Sequence, residues 1–208
     1  GWVLRNVGMC AQAARAARCK GVCFDVEPYG GWGPWAYGKS SPGHVKQPHA
    51  EDKSFAEFQE VVRKRGAQFI SRLQEELPDL VIHTFFLNSG LPDVLAESDP
   101  EKREEMLEKE FYGLLPAFLN GMLDAVAPGT VIHDGNECSY YYTEPLHFYH
   151  GYHFVHRTAL SLVDPSLHDK YRSHVRCAHA LIGGNQCNMR TFRTTSTHLT
   201  PEERARFV

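Results

Sequence analysis

The sequence runs to 208 residues with a formal net charge of −3 at neutral pH. That length suits one sizeable domain, and the charge gives no electrostatic reason to expect nucleic acid or an anionic membrane as a partner. With 42% hydrophobic and 23% charged residues, the make-up is globular rather than disordered or fibrous, and no apolar run nears the roughly 20 residues of a membrane span.

In chain order, residues 9–19 are alanine-rich and helix-favouring, and Gly21 then switches the pattern to Val22-Cys-Phe-Asp-Val-Glu27, a strand. Residues 28–52 hold four prolines, five glycines, two tryptophans and two tyrosines. This reads as a long functional loop, since aromatic residues argue against disorder. Ser54 and Glu57 form a capping box ahead of Phe55, Phe58, Val62, Phe69, Leu73 and Leu77 at helical spacing, closed by Pro78. Leu80-Val-Ile-His-Thr-Phe-Phe-Leu87 is a buried strand.

A second helix starts at Ser98, Pro100 and Glu101, and Pro116 is expected to kink or split it. After a Pro128-Gly129 turn comes a strand from Thr130 to Asp134, then another aromatic loop. A helix over 169–184 leading to a weaker strand near 178–182 completes the run. Thr200 and Pro201 read as the cap and first-turn proline of a helix cut short, so the chain is expected to be a piece of a longer protein. No export signal is visible in residues 1–20; a secreted or periplasmic location is expected if the native N-terminus lies upstream. Repeated strand–helix units with apolar strands predict an α/β fold with a parallel sheet. The choice lies between a TIM barrel and an open doubly wound sheet, and no Gly-rich phosphate loop follows any strand; the expected form is a (β/α) TIM-barrel-like domain over 1–208, incomplete at one or both ends, because a whole barrel takes about 250 residues. The six cysteines include no CxxC pair, and buried free thiols are the expectation.

The sharpest chemical feature is Phe24-Asp25-Val26-Glu27-Pro28-Tyr29. Strand alternation puts Asp25 and Glu27 on one face, where like charges raise the proton affinity of at least one carboxyl, as a general acid requires. Asp134 and Glu137 form a second acidic pair around Gly135 and Asn136. Carboxylates at neighbouring strand ends would face each other at separations suited to glycoside hydrolysis. Tyr29, Trp32, Trp35 and Tyr37 follow the first pair, and Tyr140, Tyr141 and Tyr142 the second; flat rings with polar tips suit sugar faces. His83 in its strand and Asn88 and Ser89 at its end are further candidates for contact with substrate. His147, His150, His153 and His156 recur every third residue, a spacing at which neighbouring pairs, though not all four, could share a ligand.

The Asp-Val-Glu-Pro-Tyr strand end is similar to the Asp-x-Glu strand ends of chitinase-like and lysozyme-like TIM-barrel glycoside hydrolases. That resemblance implies Glu27 as general acid and Asp25 as the residue that tunes it; the further aspartates of the chitinase signature are absent, Lys20-Gly-Val-Cys-Phe24 standing there instead.

The sequence therefore predicts a glycoside hydrolase for an oligo- or polysaccharide, without a cofactor or metal. Glu27 is the expected acid and Glu137 or Asp134 the nucleophile or base; Tyr29, Trp32, Trp35, Tyr37, His83, Asn88, Asn136 and Tyr140 are expected to bind sugar. Two rivals stand beside it: a metal-dependent hydrolase using residues 147–156 with Asp134, and a non-catalytic carbohydrate-binding domain.

Overall fold

The computed structural model describes residues 1–29, 33–38 and 47–179. Trp32, residues 180–182 of the strand expected near 178–182, and the expected terminal helix lie outside the described residues. Helix α1 (Trp2–Ala16) begins well before the alanine-rich stretch and leads through Arg18, at φ 57°, into β1 (Gly21–Phe24). Helix α2 (Phe55–Gln74) carries the expected capping box: the Glu57 N–H donates to Ser54 Oγ at 3.3 Å, and the Ser54 N–H donates to Glu57 Oε2 at 2.8 Å. Strand β2 (Val81–Thr84) and helices α3 (Pro92–Ala96) and α4 (Pro100–Lys109) follow; Asp99 rather than Ser98 caps α4. The helix expected to run through Pro116 is split. α4 ends at Lys109, and Pro116 sits in the first turn of α5 (Leu115–Ala125), where its missing N–H costs nothing.

Strand β3 (Val131–Asp134) is followed by α6 (Pro145–His156), α7 (His168–His174) and β4 (Val175–Cys177). Two expectations are corrected here. The second aromatic segment holds the three-turn helix α6 rather than a loop. The last strand begins at Val175 rather than near 178, because α7 stops at His174.

The four strands are all parallel, in the order β1-β2-β3-β4, so each pairs with its neighbour in sequence. The register gives the sheet two unlike faces. Val22, Ile82, Ile132 and Val175 lie level on one, with Phe24, Thr84, Asp134 and Cys177 one step on. That face is covered: Phe24 meets Phe69 of α2 and Phe118 of α5 at ring centroid distances of 4.7 and 5.9 Å. Ile82, Ile132 and Val175 are fully buried there; each such side chain stabilises the fold by roughly 1.5–3 kcal/mol. Cys23, His83, His133 and Arg176 lie level on the other face and are exposed or half-buried.

Helices α2 and α5 cross in close contact, which Gly66 and Gly121 permit. A Cβ at Gly66 would run into the Phe118 carbonyl oxygen, and one at Gly121 into that of Arg63. Among the described residues no helix is long and apolar enough to cross a membrane. The five described cysteines are free, and four of them are exposed rather than buried as expected.

Candidate active site

The β1 ladder ends at Phe24, and the chain continues past it as Asp25-Val26-Glu27. Val26 turns inward to 2% exposure, which sends its two neighbours the other way, as alternation requires. The indole Nε1 of Trp35 donates to the Val26 carbonyl at 2.6 Å and pins this strand end. Tyr29 then folds back over it. Its hydroxyl lies 2.7 Å from Glu27 Oε2, to which it donates, and 3.2 Å from Asp25 Oδ2, while the Glu27 N–H donates to Asp25 Oδ1 at 2.8 Å. The hydrogen bond to Glu27, helped by burial and both carboxylates, pushes the Tyr29 phenol far above its ordinary value, so it stays a donor.

At the end of β3, Asp134 is completely buried. Its carboxylate accepts from the Ser89 hydroxyl, from the Ser89 N–H at 3.1 Å and from the Asn136 N–H at 3.2 Å. Burial pushes its pKa up against those hydrogen bonds. Gly135 lies so close to β2 that a Cβ there would strike the Thr84 and Phe85 carbonyls. Asn136 adopts left-handed backbone at φ 43°, a conformation that asparagine tolerates better than most residues. The chain thereby reverses into a short 3-10 turn, Glu137–Tyr141.

Glu137 is half-buried, and its carboxyl is raised first by burial and then by the negative charge of Glu27, with a further push from Asp25. The three carboxyls thus occupy one electrostatic neighbourhood. The Tyr140 hydroxyl lies within hydrogen-bonding reach of Glu137, and burial with the carboxylates pushes its phenol up to about 12. Tyr112, from the break between α4 and α5, borders the same cluster. Burial, then Glu27, Glu137 and Asp25, push it up to about 12, and its ring rests on Phe86 at 4.9 Å. Tyr112 was not among the residues expected at the site. Nothing in Glu-Phe-Tyr between two helical segments ties it to an acidic pair.

Several expected site residues lie elsewhere. Asp134 is sealed from substrate, so it holds the loop and cannot act as nucleophile or base at a reacting sugar. Asn88 and Asn136, at 0% and 1% exposure, are likewise internal. Asn88 Nδ2 donates to the Ala159 carbonyl at 3.3 Å while its Oδ1 is buried without a partner among the described residues. Asn136 Nδ2 donates to the Tyr142 hydroxyl at 3.3 Å. Trp35 is a core residue, its ring 5.1 Å from that of Phe118. Tyr37 packs edge-on to Phe58 and donates to the Lys53 carbonyl at 2.7 Å, closing a loop instead of offering a sugar platform. His83 stands mid-strand on the sheet face opposite α2 and α5, half-buried, 5.8 Å ring to ring from His133. Trp32 lies outside the described residues. Asp25, Glu27, Glu137, Tyr29 and Tyr140 are brought together.

The four spaced histidines do not converge. His147 Nδ1 accepts from the Thr143 and Glu144 N–H groups at 3.2 and 3.4 Å and caps α6; His156 Nε2 accepts from the Cys177 N–H at 3.4 Å. His150 and His153 face outward. Among the described residues no three His, Cys, Asp or Glu side chains are grouped so as to hold a metal ion. An apolar groove of about 720 Å³ beside α1 and β1, lined by Trp2, Val7, Val22 and Phe69 among others, includes none of the three carboxylates.

No family model matches the sequence, and no curated protein or solved structure shows significant similarity to it.

Proposed function

We propose that the chain is a glycoside hydrolase of the two-carboxylate type, built on an arc of a (β/α) barrel. The observation that carries the reading is that Asp25 and Glu27 share the Tyr29 hydroxyl beyond the end of β1, and that both raise the Glu137 carboxyl beyond the end of β3, with Tyr112 and Tyr140 in the field of all three. The consecutive parallel order β1-β2-β3-β4 supports a barrel arc. A barrel keeps its chemistry at the carboxyl ends of the strands, and its interior would be the face that carries Cys23, His83 and His133.

We assign the labour opposite to the strand-motif resemblance, on the surroundings of Glu137. A general acid must hold a proton near neutral pH, which burial and facing negative charge favour. Glu137 has both, and its carboxyl is raised in spite of an opposing hydrogen bond from Tyr140. Glu27, held by the Tyr29 hydroxyl, is left as the second carboxyl of the pair. In this reading Glu137 gives its proton to the glycosidic oxygen as that bond to the anomeric carbon breaks. Glu27, as carboxylate, either attacks the anomeric carbon or takes a proton from the attacking water; the separation of the two carboxyls sets which. Asp25 orients Glu27 through its main-chain N–H and Tyr29.

The test is turnover of a panel of oligosaccharides by the wild type, Glu137→Gln and Glu27→Gln. The expectation is hydrolysis of at least one member by the wild type and a loss of about 10²–10⁴-fold in kcat in either variant. Hydrolysis unaffected by both changes would remove these residues from the chemistry. Binding without hydrolysis by the wild type would make the chain a sugar-binding domain.

A further inference from the structure

Helix α6 is a surface helix without a single Asp, Glu, Lys or Arg in its twelve residues, Pro145–His156. Surface helices ordinarily carry charge on the solvent side. Its inner face rests on the strand ends: Gly151 and Val155 are buried, Phe148 stacks edge-on to Tyr142 at 5.3 Å, and His156 receives the N–H of Cys177, the last residue of β4. The outer face is therefore part of the molecular surface at the same end as the carboxylates.

That outer face is made of rings with polar tips. Tyr149 is 67% and Tyr152 48% exposed, and Tyr152 is flanked by His153 and His156 at ring distances of 5.6 and 4.3 Å. Positions 149, 152 and 153 share one helical side, with His156 at its edge, its Nε2 turned back to the Cys177 N–H. The aromatic run continues back along the chain through Tyr141, 57% exposed, to Tyr140 beside Glu137.

We propose that this face binds an extended neutral polysaccharide chain and leads it to the carboxylate cleft. The inference rests on the glycosidase reading for its direction and deepens it by naming the substrate class. Two features of charge select the ligand. Uronate or sulfated chains would find no Lys or Arg within α6, the nearby cations being Arg157 at its C-terminal end and Arg176 beside His156, and at the cleft they would meet Asp25, Glu27 and Glu137, all acidic. A neutral sugar chain meets neither penalty. Its C–H faces stack on tyrosine rings while its hydroxyls reach phenol and imidazole tips. A helix of this length runs roughly 18 Å, so the face engages several sugar units and is unused by a short substrate.

The experiment is affinity electrophoresis in gels containing a mixed-linkage β-glucan, galactomannan or pullulan, with hyaluronan and polygalacturonate as anionic probes. The expected result is retardation of the wild type by at least one neutral polymer and by neither anionic one. Tyr149→Ala/Tyr152→Ala should weaken that binding by about tenfold, Tyr149→Trp/Tyr152→Trp should retain it, and Glu137→Gln should bind as the wild type does. Retardation by no neutral polymer, preference for an anionic one, or undiminished binding in the alanine variant overturns the proposal. Binding lost in the alanine variant, together with hydrolysis that survives Glu137→Gln, leaves the platform standing and sinks the glycosidase reading instead.

Discussion

In the proposed reaction Glu137 is the residue on which the chemistry turns, because burial and the facing negative charge of Glu27 and Asp25 favour a proton on its carboxyl. Part of that preference comes from Asp25, and removing the charge while keeping the shape isolates it. We expect Asp25→Asn to lower the pKa of Glu137 and so move the basic limb of the kcat/KM profile to lower pH; a limb that stays in place would detach Glu137 from that ionisation. Asp134 answers to a different measurement. Its removal leaves the buried N–H groups of Ser89 and Asn136 without an acceptor, at about 1–3 kcal/mol for each. Asp134→Ala should therefore lower the urea midpoint markedly, and an unchanged midpoint would contradict the clamp described for it. At this scale alternation made the Asp25–Glu27 pair legible in the sequence, since strand geometry fixes which side chains share a face. Direction within loops was not legible. Trp35 and Tyr37 follow the acidic pair as a sugar platform would, yet the first serves the core and the second closes a loop, because a ring in a loop turns toward whichever apolar surface lies nearest.

At the scale of elements, α2 and α5 approach as closely as their glycines allow. Gly121→Ala should cost roughly 1–3 kcal/mol, the range for overpacking, measured by thermal or urea unfolding. A variant as stable as the wild type would mean that the helices can separate without loss. The middle of α2 is also tied to the end of α5 and to the segment after α6, since Arg63 bonds Asp124 at 2.6 and 2.8 Å and Asp164 at 2.8 Å. The Ser166 hydroxyl and Arg63 hold the Asp164 carboxyl down to about 2. A depressed carboxyl contributes stability that is present above the ordinary aspartate range and is lost as pH falls through the folded value. Acid unfolding should therefore steepen as pH falls from about 4 to about 2, and Asp164→Asn should flatten that dependence; identical acid profiles would rule the pair out as a contributor. The capping box of α2 and the strand cores were legible because local chemistry decides them. Helix α6 was not, because a run of His, Tyr and Phe lacks the charged-against-apolar contrast by which a surface helix is read.

At the scale of the whole molecule, the alternation of helix and strand already implied a parallel sheet, and the consecutive order β1-β2-β3-β4 agrees with it. The pairing of Glu27 with an acid after β3 was expected from the repeated strand ends; what no local pattern carried was the choice of Glu137 over Asp134, which depends on the burial of Asp134 and on the left-handed turn at Asn136. The central claim is that Glu27 and Glu137 share one reaction with Glu137 as the acid, and leaving-group dependence tests it most directly. Aryl glycosides of a sugar that the wild type hydrolyses are compared, one with a poor phenol leaving group and one with dinitrophenol, for the wild type, Glu137→Gln and Glu27→Gln. With dinitrophenol, which departs without protonation, Glu137→Gln should recover kcat/KM close to that of the wild type while failing on the poor leaving group, and Glu27→Gln should fail on both. Equal losses on both substrates in Glu137→Gln, or recovery in Glu27→Gln instead, would contradict the assignment.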